Sequence, residues 1–345
     1  MSLSRDDLPG LPREPVGAYL ETELGLDPGW SAEVISGGLS NLTYRIEAGS
    51  ERLVLRRPPL GHALRGAHDM RREHRVLEAL GPTPVPVPEV LAFCDDTEVL
   101  GAPFYVMREV RGQVVRSAAD AAGLTPGQRA ALSDGLVDAL GDLHAVDIDK
   151  AGLGDFGKRG GYAARQVRTW GKQWQSSKTR DLPDMDRLLA KLEQAVPASG
   201  ETTIVHGDYR LDNTIVSADP PAVLAVLDWE LATLGDPVAD LASMLTYWHD
   251  RGDDERGAIS VAAGLTTLPG FRTTTELAAR YAARTGRDLS QLPLYLALAA
   301  MKLAAILEGV HSRYLSGLAV GEGYGEVGTA VPLLAARGLR LLDGA

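Results

Sequence analysis

The run Ile204-Val-His-Gly-Asp-Tyr-Arg-Leu-Asp-Asn-Thr-Ile-Val216, followed shortly by Val226-Leu-Asp-Trp229, brackets two polar switches between apolar segments. The first segment ends in His206-Gly207-Asp208, and Asn213 follows five residues after Asp208, just before the second segment. A Ser-Ala-Asp-Pro-Pro turn then leads to a third apolar run that delivers Asp228 at its end. Short apolar runs separated by turn residues predict a hairpin across 204–229, with Asp208, Asn213 and Asp228 at one end. Oxygen donors of this kind suit a hard cation such as Mg²⁺, which takes few protein ligands and keeps its other positions for water and phosphate. Asn213 and Asp228 are the expected metal ligands and Asp208 the expected base, the arrangement that phosphoryl transfer requires.

On the N-terminal side, Ala32 to Ile35, Tyr44 to Ile46 and Leu53 to Leu55 read as strands. Between the first two lies Ser36-Gly-Gly-Leu-Ser-Asn41. Gly37 and Gly38 would let backbone N–H groups approach phosphate oxygens, with Ser40 and Asn41 adding donors; the same residues also suit a plain hairpin turn. The third strand ends at Arg56, a cation placed to reach nucleotide phosphates or to sit in solvent. Asp69 can cap the helix that follows, whose Met70, Glu73, Leu77 and Leu80 share one face. Glu73 within an apolar stripe is costly without a cation partner; Arg56 or the neighbouring Arg72 would supply it. Four prolines between Gly81 and Glu89 dictate an extended connector, and strands are expected at Val90 to Phe93 and Phe104 to Met107. A nucleotide base is expected against backbone groups of Met107 to Gly112, at Met107 and Val110, where two lobes would meet.

Beyond that point the pattern is helical. Thr125-Pro126 pairs an N-cap with proline at the first helical position, and Leu132, Leu136, Leu140 and Leu143 form one face ending at His144, read as a core or capping residue. Trp170 and Trp174, four residues apart within a possible lid over 155–195, read equally as core or as substrate cover; Arg165, Arg168, Lys172, Lys178 and Arg180 make the region basic. Asp236-Pro237 starts another helix, with Asp236 expected also to brace the catalytic loop. The domain reading is a nucleotide-binding lobe at 1–107 (core 30–107), a hinge at 108–112, and a helical lobe at 113–345.

A chain of 345 residues fits two lobes. Its net charge of −11 and pI near 5.2 argue against nucleic-acid binding. One cysteine, Cys94, rules out an internal disulfide and a cysteine-based zinc site. The first residues lack a signal-peptide core, and Leu292 to Leu307, interrupted by Lys302, reads as a buried helix too short for a bilayer. The expectation is a cytoplasmic protein without a membrane partner; oligomeric state stays open.

Taken together, Gly37-Gly-Leu-Ser-Asn41, Glu73, His206-x-Asp208-x-x-x-x-Asn213 and Asp228-Trp229 resemble the aminoglycoside phosphotransferase and choline-kinase branch of the protein-kinase-like fold, as does Leu143-His-Ala-Val-Asp147. Within it, Leu53-Val-Leu-Arg-Arg-Pro-Pro59 and Asp228-Trp-Glu-Leu-Ala-Thr-Leu-Gly-Asp-Pro237 look closest to kinase-like domains fused to, or encoded beside, acyl-CoA dehydrogenases. The resemblance implies an α+β, two-lobed protein-kinase-like fold with a small antiparallel-sheet N-lobe carrying one main helix and a larger, mostly helical C-lobe. It implies ATP and Mg²⁺ as cofactors, a small-molecule hydroxyl as acceptor, and a functional link to an acyl-CoA dehydrogenase. Asp208 would orient the hydroxyl and take its proton, Arg210 would steady the transferring phosphoryl group, and His206 would support the loop. Arg56 departs from the branch, which carries Lys there, and the two are not interchangeable. The subgroup favours a hydroxyacyl acceptor, possible on coenzyme A; an aminoglycoside kinase and a nucleotide-binding pseudokinase are the alternatives.

Overall fold

The computed structural model describes residues 8–35, 41–60, 69–197, 200–259, 261–317 and 326–344. The chain divides into two compact units, Met1–Gly112 with Leu224–Ala232, and Gln113–Val223 with Thr233–Ala345. The short segment Leu224–Ala232, and Asp228 with it, therefore belongs with the first unit rather than with the residues on either side of it in sequence. Tertiary contacts explain this: Val226 N donates to Pro86 O at 2.8 Å, and the turn Trp229–Leu231 packs on the helix Met70–Leu80.

The first unit runs α1 (Arg13–Leu24), β1 (Ser31–Val34), β2 (Leu42–Ala48), β3 (Glu51–Arg57), α2 (Met70–Leu80), β4 (Val90–Cys94), α3 (Thr97–Leu100) and β5 (Phe104–Arg108). Its five strands form one antiparallel sheet in the order β1-β2-β3-β5-β4. Because side chains alternate along a strand, Leu53 and Leu55 of β3 bury with Val16 and Leu20 of α1 and with Phe104 and Val106 of β5. Arg56 then points to the opposite face. Directly across the ladder from Arg56 stands Tyr105 of β5, so the two side chains share that face. There they meet Glu73 of α2, a helix started by Asp69, whose carboxylate accepts from Arg72 N at 3.1 Å.

The second unit contains α4 (Ala118–Ala122), α5 (Pro126–His144), α6 (Tyr162–Ser177), α7 (Pro183–Ala195), β6 (Thr203–Val205), β7 (Thr214–Ala218), β8 (Pro221–Val226, which leaves the unit after Val223), β9 (Thr233–Gly235), α8 (Pro237–Tyr247), α9 (Asp254–Gly257), α10 (Thr274–Thr285), α11 (Leu292–Leu315) and α12 (Val327–Asp343). A reciprocal capping box between Thr125 and Gln128 opens α5, and its Leu132, Leu136, Leu140 and Leu143 are all buried. The core lies where α11 packs against α6, α7, α8 and α12. Trp174 is fully buried in it, so truncation to alanine would cost about 3–5 kcal/mol. At 24 residues, α11 is long and apolar enough to cross a bilayer, longer than the apolar stretch suggested; 72% of its most apolar window is nevertheless buried among these helices. Burial, not shortness, is thus the reason to read it as a core helix.

Candidate active site

Strand β6 pairs antiparallel with β9 and ends at Val205, leading directly into His206, Gly207 and Asp208. Gly207 takes φ 85°, a left-handed conformation that glycine enters without a Cβ penalty. The loop is held from α8. Asp240 is buried, and its carboxylate accepts from the backbone N–H groups of His206 (2.5 Å) and Gly207 (2.8 Å). Burial works to raise the Asp240 pKa, but His144, His206 and the Gly207 N–H stabilise the charge, and the carboxyl lies below its ordinary value. His144 faces it at 3.5 Å and also contacts the Tyr281 hydroxyl at 2.6 Å. Burial lowers the His144 pKa, so this core imidazole stays neutral beside a charged Asp240. Asp236 is the α8 cap that the sequence indicates, through Val238 N (3.0 Å), and accepts from the Tyr295 hydroxyl (2.6 Å); the bracing of the loop also expected of it comes from Asp240.

Within the loop, Asp208 N donates to His206 Nδ1 at 3.2 Å, and a single 3-10 turn at Leu211–Asn213 returns the chain toward Asp208. Asn213 Nδ2 donates to the Asp208 backbone carbonyl (2.9 Å) and to Asp208 Oδ2 (3.1 Å). Arg210 pairs with the same Oδ2 at 3.3 Å and with Asp212 at 3.0 Å, its guanidinium lying 4.8 Å from the Tyr247 ring centre. Asp208, Arg210 and Asn213 are therefore one interlocked group. The carboxylate of Asp208 is fixed in orientation yet partly open to solvent, 23% exposed.

Beside Gly207 a narrow cleft lies between α6, α8 and α11, partly open to solvent. Tyr162, Trp170, Tyr295 and Leu298 supply apolar walls. Lys302 of α11 reaches in, donating from Nζ to the Gly207 carbonyl at 2.5 Å and standing 5.5 Å from the Trp170 ring centre. Burial lowers the Lys302 pKa, opposed by Asp208 and Asp240. The two tryptophans of α6 have different places: Trp174 is core and Trp170 is cleft wall. Arg180 of the basic stretch is bonded to the buried Glu308 at 3.1 Å.

In the first unit a second group forms around Glu73, which is 1% exposed. Its carboxylate accepts from Arg56 Nε (2.9 Å), Tyr105 Oη (3.0 Å) and Asn41 Nδ2 (2.9 Å). The other side of the Arg56 fork, Nη2, donates to Asp228 Oδ1 at 2.6 Å. Burial pushes the Glu73 carboxyl up, against the pull of Arg56 and Tyr105; burial also works against the Arg56 charge, but Tyr105, Glu73 and Asp228 overcome it. Asp228 itself sits at φ 66°, a backbone state that costs a non-glycine residue energy and clusters at functional sites.

Of the nucleotide-loop residues expected from sequence, Gly37, Gly38 and Ser40 lie outside the described residues. Asn41 is described, and its amide is committed to Glu73 rather than turned outward as a donor. Met107 is a buried ladder residue of β5. Val110 follows that strand as irregular backbone, after Glu109 N has bonded to Arg52 O at 3.0 Å. Sequence reasoning did not assign Asp240, Tyr105 or Lys302. The available signals were a carboxylate one turn into an apolar helix and a lysine interrupting the most apolar stretch of the chain.

Each residue expected at a Mg²⁺ ion keeps a hard oxygen donor of the right kind within its own unit. In the second unit Asn213 spends its Nδ2 on Asp208, leaving Oδ1 as a neutral oxygen ligand; in the first unit Asp228 gives Oδ1 to Arg56, leaving Oδ2. Among the described residues no three or more His, Cys, Asp or Glu side chains cluster as a cage, and Mg²⁺ needs none, since phosphates and water complete its shell.

These features define a small-molecule kinase of the two-lobed, protein-kinase-like α+β class. The phosphotransferase enzyme family profile matches residues 31–301, and the chain belongs to that family. It is 38% identical over 317 residues to mouse (Mus musculus) acyl-CoA dehydrogenase family member 10, spanning 90% of this chain and 29% of that protein. It is 36% identical over 340 residues to chicken (Gallus gallus) acyl-CoA dehydrogenase family member 11, spanning 97% and 42%. The chain thus spans less than half the length of these curated relatives. A Ralstonia eutropha JMP134 protein provisionally designated an aminoglycoside phosphotransferase superposes with TM-score 0.84 at 35% identity, over 96% of this chain and 98% of that one. Aminoglycoside phosphotransferase APH(4)-Ia, solved with AMP-PNP and hygromycin B, shares the fold at TM-score 0.60 and 14% identity, over 96% and 98%.

Proposed function

We propose that this protein transfers the γ-phosphoryl group of ATP, in the presence of Mg²⁺, to the hydroxyl of a hydroxyacyl compound of the coenzyme A type. The observation that carries the transfer is Asp208: a carboxylate fixed by Asn213 and by an anchored loop, adjacent in sequence to a glycine that lines a partly open cleft. A hydroxyl held at Asp208 would pass its proton to the free carboxylate oxygen as its oxygen bonds to the γ-phosphorus and the bond from that phosphorus to the bridging oxygen breaks, ADP leaving with the electron pair. Arg210 would turn from Asp208 to the developing phosphoryl charge, which its fork geometry suits. Mg²⁺ supplies charge neutralisation of the phosphates when bound; Asn213 and Asp228 would hold it. Arg56, locked between Glu73 and Asp228, would face the phosphates, and the backbone of Val110 the base. The protein contributes positioning and electrostatics rather than covalent chemistry.

The relatives that share most of this chain are described as acyl-CoA dehydrogenases, which supports a hydroxyacyl acceptor over an antibiotic and a functional link to such an enzyme. A panel of hydroxyacyl-CoA thioesters, aminoglycosides, choline and homoserine, each offered with γ-labelled ATP, tests the reading. Label in the thioester pool is expected. Label confined to another pool would overturn the acceptor assignment, and Mg²⁺-independent ATP binding without turnover in any pool would leave a nucleotide-binding pseudokinase.

A further inference from the structure

The cleft beside Gly207 carries a charge arrangement that discriminates among hydroxyl compounds. Its walls are largely apolar and aromatic, with Gln166 and Ser243 as neutral polar groups, and two charged groups border it, Asp240 and Lys302. Both oxygens of Asp240 are occupied by the backbone N–H groups of His206 and Gly207, with His144 also against Oδ2. Its charge is directed into the protein, toward the loop. Lys302 has three N–H donors, and the Gly207 carbonyl takes one. The cation is half-buried against Trp170 and opens onto the cleft. An aromatic slot with one inward cation receives an apolar chain that bears an oxygen acceptor; it repels a polycation.

We infer that Lys302 is the specificity-determining residue of the acceptor site, and that it binds the acyl oxygen (carboxylate or thioester carbonyl) of a hydroxyacyl substrate whose hydroxyl lies at Asp208. The inference rests on the phosphotransferase reading above. Gly207, which Lys302 touches, and Asp208 are consecutive, with Cα atoms about 3.8 Å apart. Asp208 also acts electrostatically on Lys302, which puts the acyl oxygen at the hydroxyl-bearing end of the substrate, with the remaining chain along Trp170, Tyr162 and Leu298.

The test compares wild type with Lys302→Met and Lys302→Arg on four acceptor sets. These are the 2-, 3-, 4- and 5-hydroxyhexanoates, their coenzyme A thioesters, the hexanediols that keep each hydroxyl but lack the acyl oxygen, and kanamycin. Wild type should phosphorylate at least one hydroxyacyl compound. Lys302→Met should raise KM for it by about 10- to 100-fold, the effect of losing a charged hydrogen bond, against a smaller change for the matching diol, which shares only the lost Lys302–Gly207 contact, with Lys302→Arg restoring part of the difference. The free-acid and thioester arms show which acyl oxygen is recognised. An equal fall in kcat for acyl compounds and diols alike would mean that Lys302 merely holds the Gly207 carbonyl, and would overturn the inference while leaving the phosphotransferase reading intact. Wild-type activity on kanamycin alone would overturn the inference and the hydroxyacyl acceptor while leaving phosphoryl transfer intact, and activity on none of the four sets would overturn the inference together with the acceptor reading on which it rests.

Discussion

Replacing Asp240 by asparagine tests whether the catalytic loop is held as the structure indicates. The carboxylate accepts two backbone N–H bonds at 2.5 and 2.8 Å in a fully buried setting. Hydrogen bonds to charged acceptors contribute about 1.5–3 kcal/mol each, and a buried donor left without a partner costs about 1–3 kcal/mol. Asparagine keeps one acceptor oxygen but turns an NH₂ group toward the second N–H. One bond is lost and one donor is stranded, a destabilisation of about 2–4 kcal/mol once some relaxation is allowed. The loop would also shift, and displacement of a reacting group by about 1 Å costs on the order of 10²-fold in rate. Urea denaturation and steady-state turnover measure the two effects separately. The expected result is a lower urea midpoint with kcat reduced by about 10²-fold. An Asp240→Asn protein with wild-type midpoint and wild-type kcat would refute the reasoning.

Arg56→Lys should destabilise the protein by about 1.5–3 kcal/mol, because an ammonium cannot fork to both Glu73 and Asp228 as the guanidinium does; thermal or urea unfolding reads this directly. Asp228→Ala should weaken the Mg²⁺ dependence of nucleotide binding, followed by titrating ATP at several Mg²⁺ concentrations, and an unchanged dependence would remove Asp228 from the metal assignment. Burial depresses the folded pKa of His144 below its ordinary 6.5, so as pH falls through 6.5 the unfolded chain takes up a proton that the folded one refuses. Stability is then complete above 6.5 and declines below it, by up to about 1.4 kcal/mol per pH unit. His144→Gln should flatten that part of the urea-midpoint profile between pH 6.5 and 5.5, and an unaltered slope would contradict the neutral-imidazole assignment.

Local signals made most of the fold legible. The Asp69 cap, the Thr125-Pro126 start and the strand at Leu53 to Leu55 each appear as sequence read them, because each depends on residues a few positions apart. Glu73 was legible for a different reason: a carboxylate in an apolar stripe demands a cation, and Arg56 provides it. What escaped sequence reasoning depends on contacts distant in sequence. Asp240 in sequence is only a polar residue within an apolar helix, and its partners His206 and Gly207 lie 34 and 33 positions away. Lys302 was visible as an interruption, but nothing local linked it to Gly207, 95 positions away. The allegiance of Leu224–Ala232 to the sheet unit is likewise a tertiary fact. Trp170 and Trp174 share helical spacing, and only packing separates a cleft wall from a core residue.

The most direct measurement is transfer of labelled γ-phosphoryl from Mg-ATP to hydroxyacyl acceptors by wild type and by Asp208→Asn, with ATP affinity determined for both. Loss of a positioned base typically costs about 10²–10⁴-fold. The account predicts labelled product with wild type, a loss of that size in Asp208→Asn, and ATP binding preserved in both proteins. Equal transfer by the two proteins would contradict the assignment of Asp208 as the group that receives the hydroxyl proton.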